Sequence, residues 1–205
     1  MRKYFITGIG TDVGKTFVSA ILVEALGADY WKPIQTGSFY GTDKELIQKL
    51  VSRKDVEFHT EIYNLEQPIS PHAAAAIANC KIEIEKIVLP DVNNTNLIIE
   101  GAGGVLVPID EEGNFMIDLI SKLGCEVILV SQNYLGSINH SLLTIEALHK
   151  RNLKISVLIF NGPRNESSEK IIINACKADK VKYVNKETLV SKDTISKYSE
   201  EFKDL

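Results

Sequence analysis

The chain is poor in the features that mark several protein classes. It has 3 cysteines in 205 residues, Cys80, Cys125 and Cys176, and none stands in a C-x-x-C pair. That argues against zinc and against a disulfide framework, and it suits a reducing cytoplasm. Each cysteine is expected to be a small buried hydrophobe. An excess of positive charge is also missing. The 23 lysines and arginines face 27 acidic residues, for a formal net charge of −4. Nothing therefore draws the whole surface toward nucleic acid or anionic lipid. No apolar run reaches the length of about 20 residues that spans a bilayer. No signal peptide is visible, because the residues after Met1 enter an extended segment almost at once. Repeats, linkers and low-complexity stretches are absent. What remains is ordinary globular material, 44% hydrophobic and 24% charged. It is enough for one core, so a single domain over residues 1–205 is expected.

One stretch carries the first chemical signal, YFITGIGTDVGKTF from Tyr4 to Phe17. It opens apolar and extended, passes through Gly8, Gly10 and Gly14, and ends in Lys15 and Thr16 at the head of an apolar-periodic segment. This is the pattern of a phosphate-binding loop between a strand and a helix. Glycines let backbone N–H groups approach an anion. The helix N-terminus adds free donors and a positive dipole end. Lysine supplies charge to the outer phosphates, and the threonine hydroxyl suits a Mg2+ ligand. Five residues separate Gly8 from Gly14, one more than usual. A plain glycine-rich turn with a surface lysine is the weaker reading.

Strand-like and helix-like segments alternate along the rest. Residues 3–7 read as a strand and 14–26 as a helix stopped by Gly27. A second extended piece over 28–32 ends at Pro33, placing Lys32 at a strand's carboxyl end, where open α/β sheets carry ligands. A solvated strand-end lysine is the alternative. Thr42 with Glu45 fits a capping box for a helix over 42–52. Asp43 in its first turn either complements the dipole or faces a metal, and spacing alone leaves both open. Residues 56–69 look irregular. Pro71 opens an alanine-rich helix over 73–78, with His72 read as a capping or core histidine. A helix is expected over 83–92, closing at Pro90. Residues 96–100 read as a buried strand ending in Glu100, followed by Gly101-Ala102-Gly103-Gly104. An acid at that position holds Mg2+ in many P-loop sites; an incidental glutamate before a turn is the alternative. A helix over 115–123 stops at Gly124, and 126–131 is another buried strand. Gly136 to Asn139 start a long helix whose free N–H groups suit a carboxylate or phosphate, with Ser137 as a plain N-cap the alternative. A strand over 154–161, a helix near 167–177, a short extended piece at 181–184 and a helix near 193–203 complete the chain.

Apolar runs alternating with helices imply an α/β fold, a parallel sheet with helices on both faces. Its loop ends would bring Thr16, Lys32, Asp43 and Glu100 to one edge.

Four motifs stand in order, GIGTDVGKT, WKPIQTGS, SPH before the alanine-rich helix, and EGAGG ahead of a strand-like VLVP, with YLGSINH after the next strand. As a set, over roughly residues 3–162, they resemble the dethiobiotin synthetase family. The resemblance implies a P-loop NTPase fold of the deviant-loop class. It also implies an ATP-dependent ligation in which 7,8-diaminononanoate, CO2 and ATP give dethiobiotin, ADP and phosphate. Lys15 would bridge the ATP phosphates and a substrate carbamate, and Lys32 would stabilise the carbamate. Thr16, Asp43 and Glu100 would hold Mg2+. Asp12, Val13, Gly14, Phe17, Gly101, Ala102 and Gly103 would join these in the nucleotide site, with Asn161 at the base. Thr11 and Thr36 would contact substrate. Leu135, Gly136, Ser137, Ile138 and Asn139 would bind its far carboxylate from the second subunit of a homodimer. Ile9 and Gly10 stand where the family has Thr-Asp, Asp12 where Glu is common, and a Pro-Trp-Leu-like stretch is missing from the C-terminal part. The rival reading is a regulatory ATPase switch of the partitioning or septum-placement type. Those proteins usually carry an extra lysine early in the loop, where this chain has Gly8-Ile9-Gly10. A related amide-forming ligase would need a further domain.

Overall fold

The computed structural model describes the backbone of residues 1–205 and every side chain except that of Tyr40. The first half runs β1 (Arg2–Gly8), α1 (Lys15–Leu26), β2 (Asp29–Trp31), β3 (Ile34–Thr36), α2 (Asp43–Leu50), β4 (Tyr63–Leu65), α3 (Pro71–Ile77) and β5 (Asn96–Gly104). The second half runs α4 (Met116–Leu123), β6 (Glu126–Ser131), α5 (Ser137–Lys150), β7 (Ile155–Asn161), α6 (Glu166–Cys176), β8 (Lys180–Val184) and α7 (Lys192–Phe202).

Six strands form one sheet in the order β2-β5-β1-β6-β7-β8, and every neighbouring pair is parallel. The strands are apolar runs because helices cover both faces. Phe5, Ile6, Ile98, Ile99, Ile128, Leu129, Leu158 and Ile159 are fully buried. From β1 the chain moves one way to β2, and from β6 it moves the other way to β7 and β8. Right-handed crossovers then place α1 and α5 on opposite faces. α7 returns to lie on α1, where the Tyr198 and Phe17 rings meet edge to face at 5.9 Å. The expected capping box of Thr42 and Glu45 is present, and Gly27 and Gly124 end their helices in the left-handed conformation.

Several local expectations give way. Residues 83–92 form a short 3-10 turn, Ile84–Lys86, instead of a helix. The β-branched run Ile82, Ile84, Ile87 and Val88 disfavours helix, and Pro90 pushes Leu89 out of the α region. Gly101 to Gly104 extend β5 rather than turning away from it. The turn falls at 105–106, so VLVP is not a strand beyond the single bridge Pro108↔Phe115. Within the supposedly irregular 56–69, β4 pairs with β3 in a small second sheet, and Phe58 bridges to Tyr30 on the outer edge of β2. Gly136, not Ser137, is the N-cap of α5.

Candidate active site

The loop after β1 is built by two backbone requirements. Asp12 sits at φ 58° and Gly14 at φ 93°, in the left-handed region. Aspartate tolerates that region locally, whereas at Gly14 space decides as well. A Cβ there would lie 2.1 Å from Nδ2 of Asn161. That Nδ2 donates to the Val13 carbonyl at 2.9 Å, so the end of β7 holds the loop's shape. On the other side, the Ile9 N–H donates to Val130 of β6 at 3.1 Å. No side chain caps α1, which leaves its first N–H groups facing an anion site. Lys15 is buried, and its ammonium donates to the Gly10 carbonyl at 3.0 Å. Burial lowers its pKa, and the nearby Glu100 charge only partly opposes this.

Beside the loop, four side chains from four segments meet. Lys32 follows β2 directly, and its ammonium donates to Asp43 Oδ2 at 2.5 Å and to Glu100 Oε1 at 3.3 Å. The Thr16 hydroxyl lies 2.8 Å from Asp43 Oδ1 and 2.9 Å from Glu100 Oε1. One hydroxyl proton serves one acceptor at a time. The set is therefore rich in oxygen acceptors, which fits a hard divalent cation such as Mg2+. Burial alone would lower the Lys32 pKa, but the charges of Glu100 and Asp43 outweigh it and the pKa is raised, so Lys32 stays an ammonium. Burial likewise pushes Asp43 up, and Lys32 more than reverses it, leaving the carboxylate ionised.

Two positioning residues were not picked out from sequence. The Tyr30 hydroxyl donates to Glu100 Oε2 at 3.0 Å from a fully buried ring. Burial, followed by the Glu100 charge, holds Tyr30 well above its usual pKa, so it remains a donor. Strand alternation was the available signal, since Tyr30 and Lys32 stand two apart and share a face. Gln35 is the other. Its Oε1 accepts from the Asp43 N–H at 3.1 Å, fixing the first turn of α2.

Gly14, Lys15, Thr16, Lys32, Gln35, Asp43 and Glu100 line a cleft of ≈ 500 Å³, together with Thr11, Asp12, Thr36, Ala102 and Gly103, the last five all expected at the site. Gly37, Gly41 and Pro68 line it as well. Val13, Phe17, Gly101 and Asn161 do not. Val13 and Asn161 support the loop, while Phe17 supports α1 through Tyr198. Gly101 lies against Phe5, where a Cβ would come within 2.7 Å of the ring. Leu135, Gly136, Ser137, Ile138 and Asn139 stand at the start of α5 and do not reach this cleft. Ser137 Oγ accepts from the Tyr134 N–H at 3.3 Å, and Leu135 is fully exposed.

Comparison with known proteins gives two kinds of likeness. A family model described as an AAA domain matches residues 2–199. An ATP-dependent dethiobiotin synthetase from Cytophaga hutchinsonii is 49% identical over 199 residues, covering 97% of this chain and 96% of that protein. One from Christiangramia forsetii is 46% identical, covering 98% and 96%. Among solved structures, a ParA family ATPase from Chlorobium tepidum superposes with a TM-score of 0.52 at 13% identity, covering 97% of this chain and 98% of that one. A structure described as a plasmid partition protein from Borrelia burgdorferi gives 0.57 at 15% identity, covering 100% and 99%. At such identities the likeness concerns the fold alone.

Proposed function

This chain belongs to the ATP-dependent dethiobiotin synthetase family, and from that premise we propose how its residues divide the work. The enzyme is an ATP-dependent ligase that closes the cyclic urea of dethiobiotin from 7,8-diaminononanoate and CO2, in biotin biosynthesis. One observation carries the assignment of roles: Lys32, Thr16, Asp43 and Glu100 converge beside the phosphate-binding loop in one cleft.

The chemistry explains why such a cleft is needed. One amine of the substrate captures CO2 as a carbamate and releases a proton. The carbamate oxygen attacks the γ-phosphorus of ATP, and ADP leaves. The second amine then attacks the carbonyl of the mixed anhydride, and phosphate leaves as the ring closes. Phosphoryl transfer asks for positioning and charge neutralisation above all. The free N–H groups of α1 and Lys15 hold the phosphates. Lys32, kept as an ammonium by its two carboxylates, offers a positive charge to the carbamate and to the charge moving during transfer. Thr16, Asp43 and Glu100 hold Mg2+, which neutralises phosphate charge when bound. Thr11 and Thr36 contact the diamine end. Asn161 shapes the loop, and its place at the end of β7 suits it to the base as well.

The substrate's far carboxylate goes to the start of α5 in a second subunit, over residues Leu135 to Asn139. Supporting this, Leu135 and Tyr134 are exposed there, and an apolar groove beside the phosphate loop includes Leu106 and Leu143, both over half exposed. A homodimer would cover that surface. The working unit is one domain over residues 1–205, acting in the cytoplasm; among the described residues no helix is long and apolar enough to cross a membrane.

The test is phosphate release with MgATP, bicarbonate and 7,8-diaminononanoate, each omitted in turn. Release should require all of them, and dethiobiotin should appear by mass. Equal hydrolysis without the diamine would overturn the assignment. Light scattering under assay conditions should give a dimer mass; a monomer with full activity would refute the shared site.

A further inference from the structure

A second group of ligating side chains stands apart from the cleft, where the edge strand β2 begins. Asp29 opens β2 with 0% exposure, and His59 is 7% exposed. Residues 57–59 run along the outer edge of β2. The Tyr30 N–H donates to the Glu57 carbonyl at 2.9 Å, and the His59 N–H donates to the Tyr30 carbonyl at 2.8 Å. In that register Glu57 and His59 point to one side, and both lie beside the Asp29 carboxylate.

Among the described residues, the Asp29 carboxylate is satisfied on one oxygen only. Oδ1 accepts from the Glu57 N–H at 2.7 Å and from Asn94 Nδ2 at 2.5 Å. Among the described residues, Oδ2 is buried without a hydrogen-bond partner, and so is Nε2 of His59. These two atoms face each other at 3.5 Å. Glu57 Oε1 lies 3.7 Å from His59 Nδ1, and one ligand atom from each residue falls within 4.8 Å of the other two.

The 3.5 Å separation is longer than an ordinary N–H···O bond, whose upper range is about 3.2 Å. It is close to the edge of a tetrahedron with metal–ligand distances of about 2.1 Å, which is about 3.4 Å. We propose that Asp29, His59 and Glu57 bind a divalent transition-metal ion of the zinc class. An imidazole with two carboxylates suits such an ion, whereas Mg2+ favours oxygen ligands alone. Asp29 and His59 are the inner ligands. Glu57, its side chain 58% exposed and 3.7 Å from Nδ1 rather than Nε2, has to rotate toward Nε2 to close the third side, and a fourth position stays open to water. Asn94 and the Glu57 N–H orient the Asp29 carboxylate from behind, as outer partners do at metal sites. The ion would fasten residues 57–59 to the edge of β2, three residues ahead of Lys32. The proposal is independent of the ligase chemistry.

The test uses the untagged full chain, stripped with a chelator and held in excess Mg2+ so that the cleft's carboxylates are occupied. Titrated Co2+ should give the intense visible absorption of four-coordinate cobalt at one equivalent, and Zn2+ should displace it. Asp29→Asn and His59→Ala should abolish the band, with circular dichroism confirming the fold. Glu57→Gln, on an exposed side chain, should weaken binding without touching folding. Asn94→Ala should weaken it by about 10–100-fold. Glu100→Gln should leave it unchanged. The proposal is overturned if no band appears, if the band survives both Asp29→Asn and His59→Ala, or if Glu100→Gln removes it. A proton resonance titration showing His59 simply protonated against Asp29, with Zn2+ leaving the imidazole signals unmoved, would also refute it.

Discussion

Substituting Gly14 with alanine tests the construction of the phosphate loop most directly. The new Cβ meets two separate obstacles. First, φ at residue 14 is 93°, where an L side chain is strained; such positions cost about 1–3 kcal/mol. Second, the Cβ would lie 2.1 Å from Asn161 Nδ2 and 3.0 Å from its Cγ. The amide must swing away and give up its 2.9 Å bond to Val13, a loss of about 0.5–1.5 kcal/mol. Together the variant should lose about 2–4 kcal/mol of stability. The two parts separate in a double-mutant cycle. In an Asn161→Ala background the collision and the hydrogen bond are already gone, so Gly14→Ala should cost only the strain. The cycle should therefore show a coupling of about 0.5–1.5 kcal/mol. Urea unfolding of the four proteins measures this, and equilibrium binding of MgATP should weaken in parallel as the loop's N–H groups move. Identical costs in both backgrounds would refute the role given to Asn161. No cost in either would refute the loop geometry.

The remaining predictions rest on other contacts. Lys32→Ala should abolish dethiobiotin formation and leave ATP affinity within a few-fold. It should also cost about 2–4 kcal/mol without Mg2+, because Asp43 and Glu100 lose their shared ammonium; thermal unfolding should then show a larger Mg2+ stabilisation than in the parent, and product formation at the parent rate would remove Lys32 from the mechanism. Glu169 accepts from Arg164, Asn133 and the Asn165 N–H, with distances from 2.7 to 3.1 Å. Burial pushes its pKa up, but these donors outweigh it and the pKa is lowered, so its stabilisation is present above the unfolded value of about 4.3 and lost as pH falls through the folded value. Glu169→Gln should cost about 2–3 kcal/mol at pH 7 and should flatten the acid limb of stability; parallel urea midpoints from pH 7 to pH 3 would contradict this. Burial raises Cys125 to about 12 and Cys176 to about 11, so at pH 8 their thiolate fractions are only about 1 in 10,000 and 1 in 1,000. Iodoacetamide should label the half-buried Cys80 first, and Cys125 reacting equally fast in the folded protein would disprove its burial.

Much of this arrangement is legible in the chain. Strand order alternating with helix, the glycine-lysine-threonine turn and the capping box at Thr42 are local patterns, and local patterns survive folding when tertiary packing agrees with them. The convergence of Thr16, Lys32, Asp43 and Glu100 followed from placing each at a carboxyl edge of a parallel sheet. What stayed hidden depends on partners far along the chain. β3 and β4 are strands of three residues each, and only their pairing with one another makes them so. Gly101 to Gly104 look like a turn by composition. Pairing of Gly104 with Gly8 beyond a bulge, and the close seat of Gly101 against Phe5, keep them in β5 even though Gly103 takes a left-handed φ of 67°. Tyr30 and Gln35 act through Glu100 and Asp43; period-two spacing from Lys32 puts Tyr30 on the right face, but no spacing rule announces the partner it holds, and none announces Gln35.

The family membership and the partition-ATPase likeness meet at one physical point. A parallel sheet of this order delivers its loops to one edge whatever the reaction, so the shared fold fixes where phosphate chemistry happens and not what it does. In the mechanism proposed above, the charge that distinguishes this reaction comes from Lys32, directly after β2. That strand is short and lies at the sheet's edge, so its aim depends on what holds it. Trp31 Nε1 donates to the Thr60 carbonyl at 3.0 Å, and Tyr30 is bound to Glu57 and His59 on its outer side and to Glu100 on its inner side. Lys32 comes immediately after these anchors. Its ammonium is therefore held where two carboxylates raise its pKa and where it faces the phosphate loop across the cleft. A carbamate is a weak electrophile with a negative charge to neutralise. In the proposed mechanism a fixed cation beside the phosphoryl donor would supply what that chemistry lacks, and the edge of β2 is the element that would fix it.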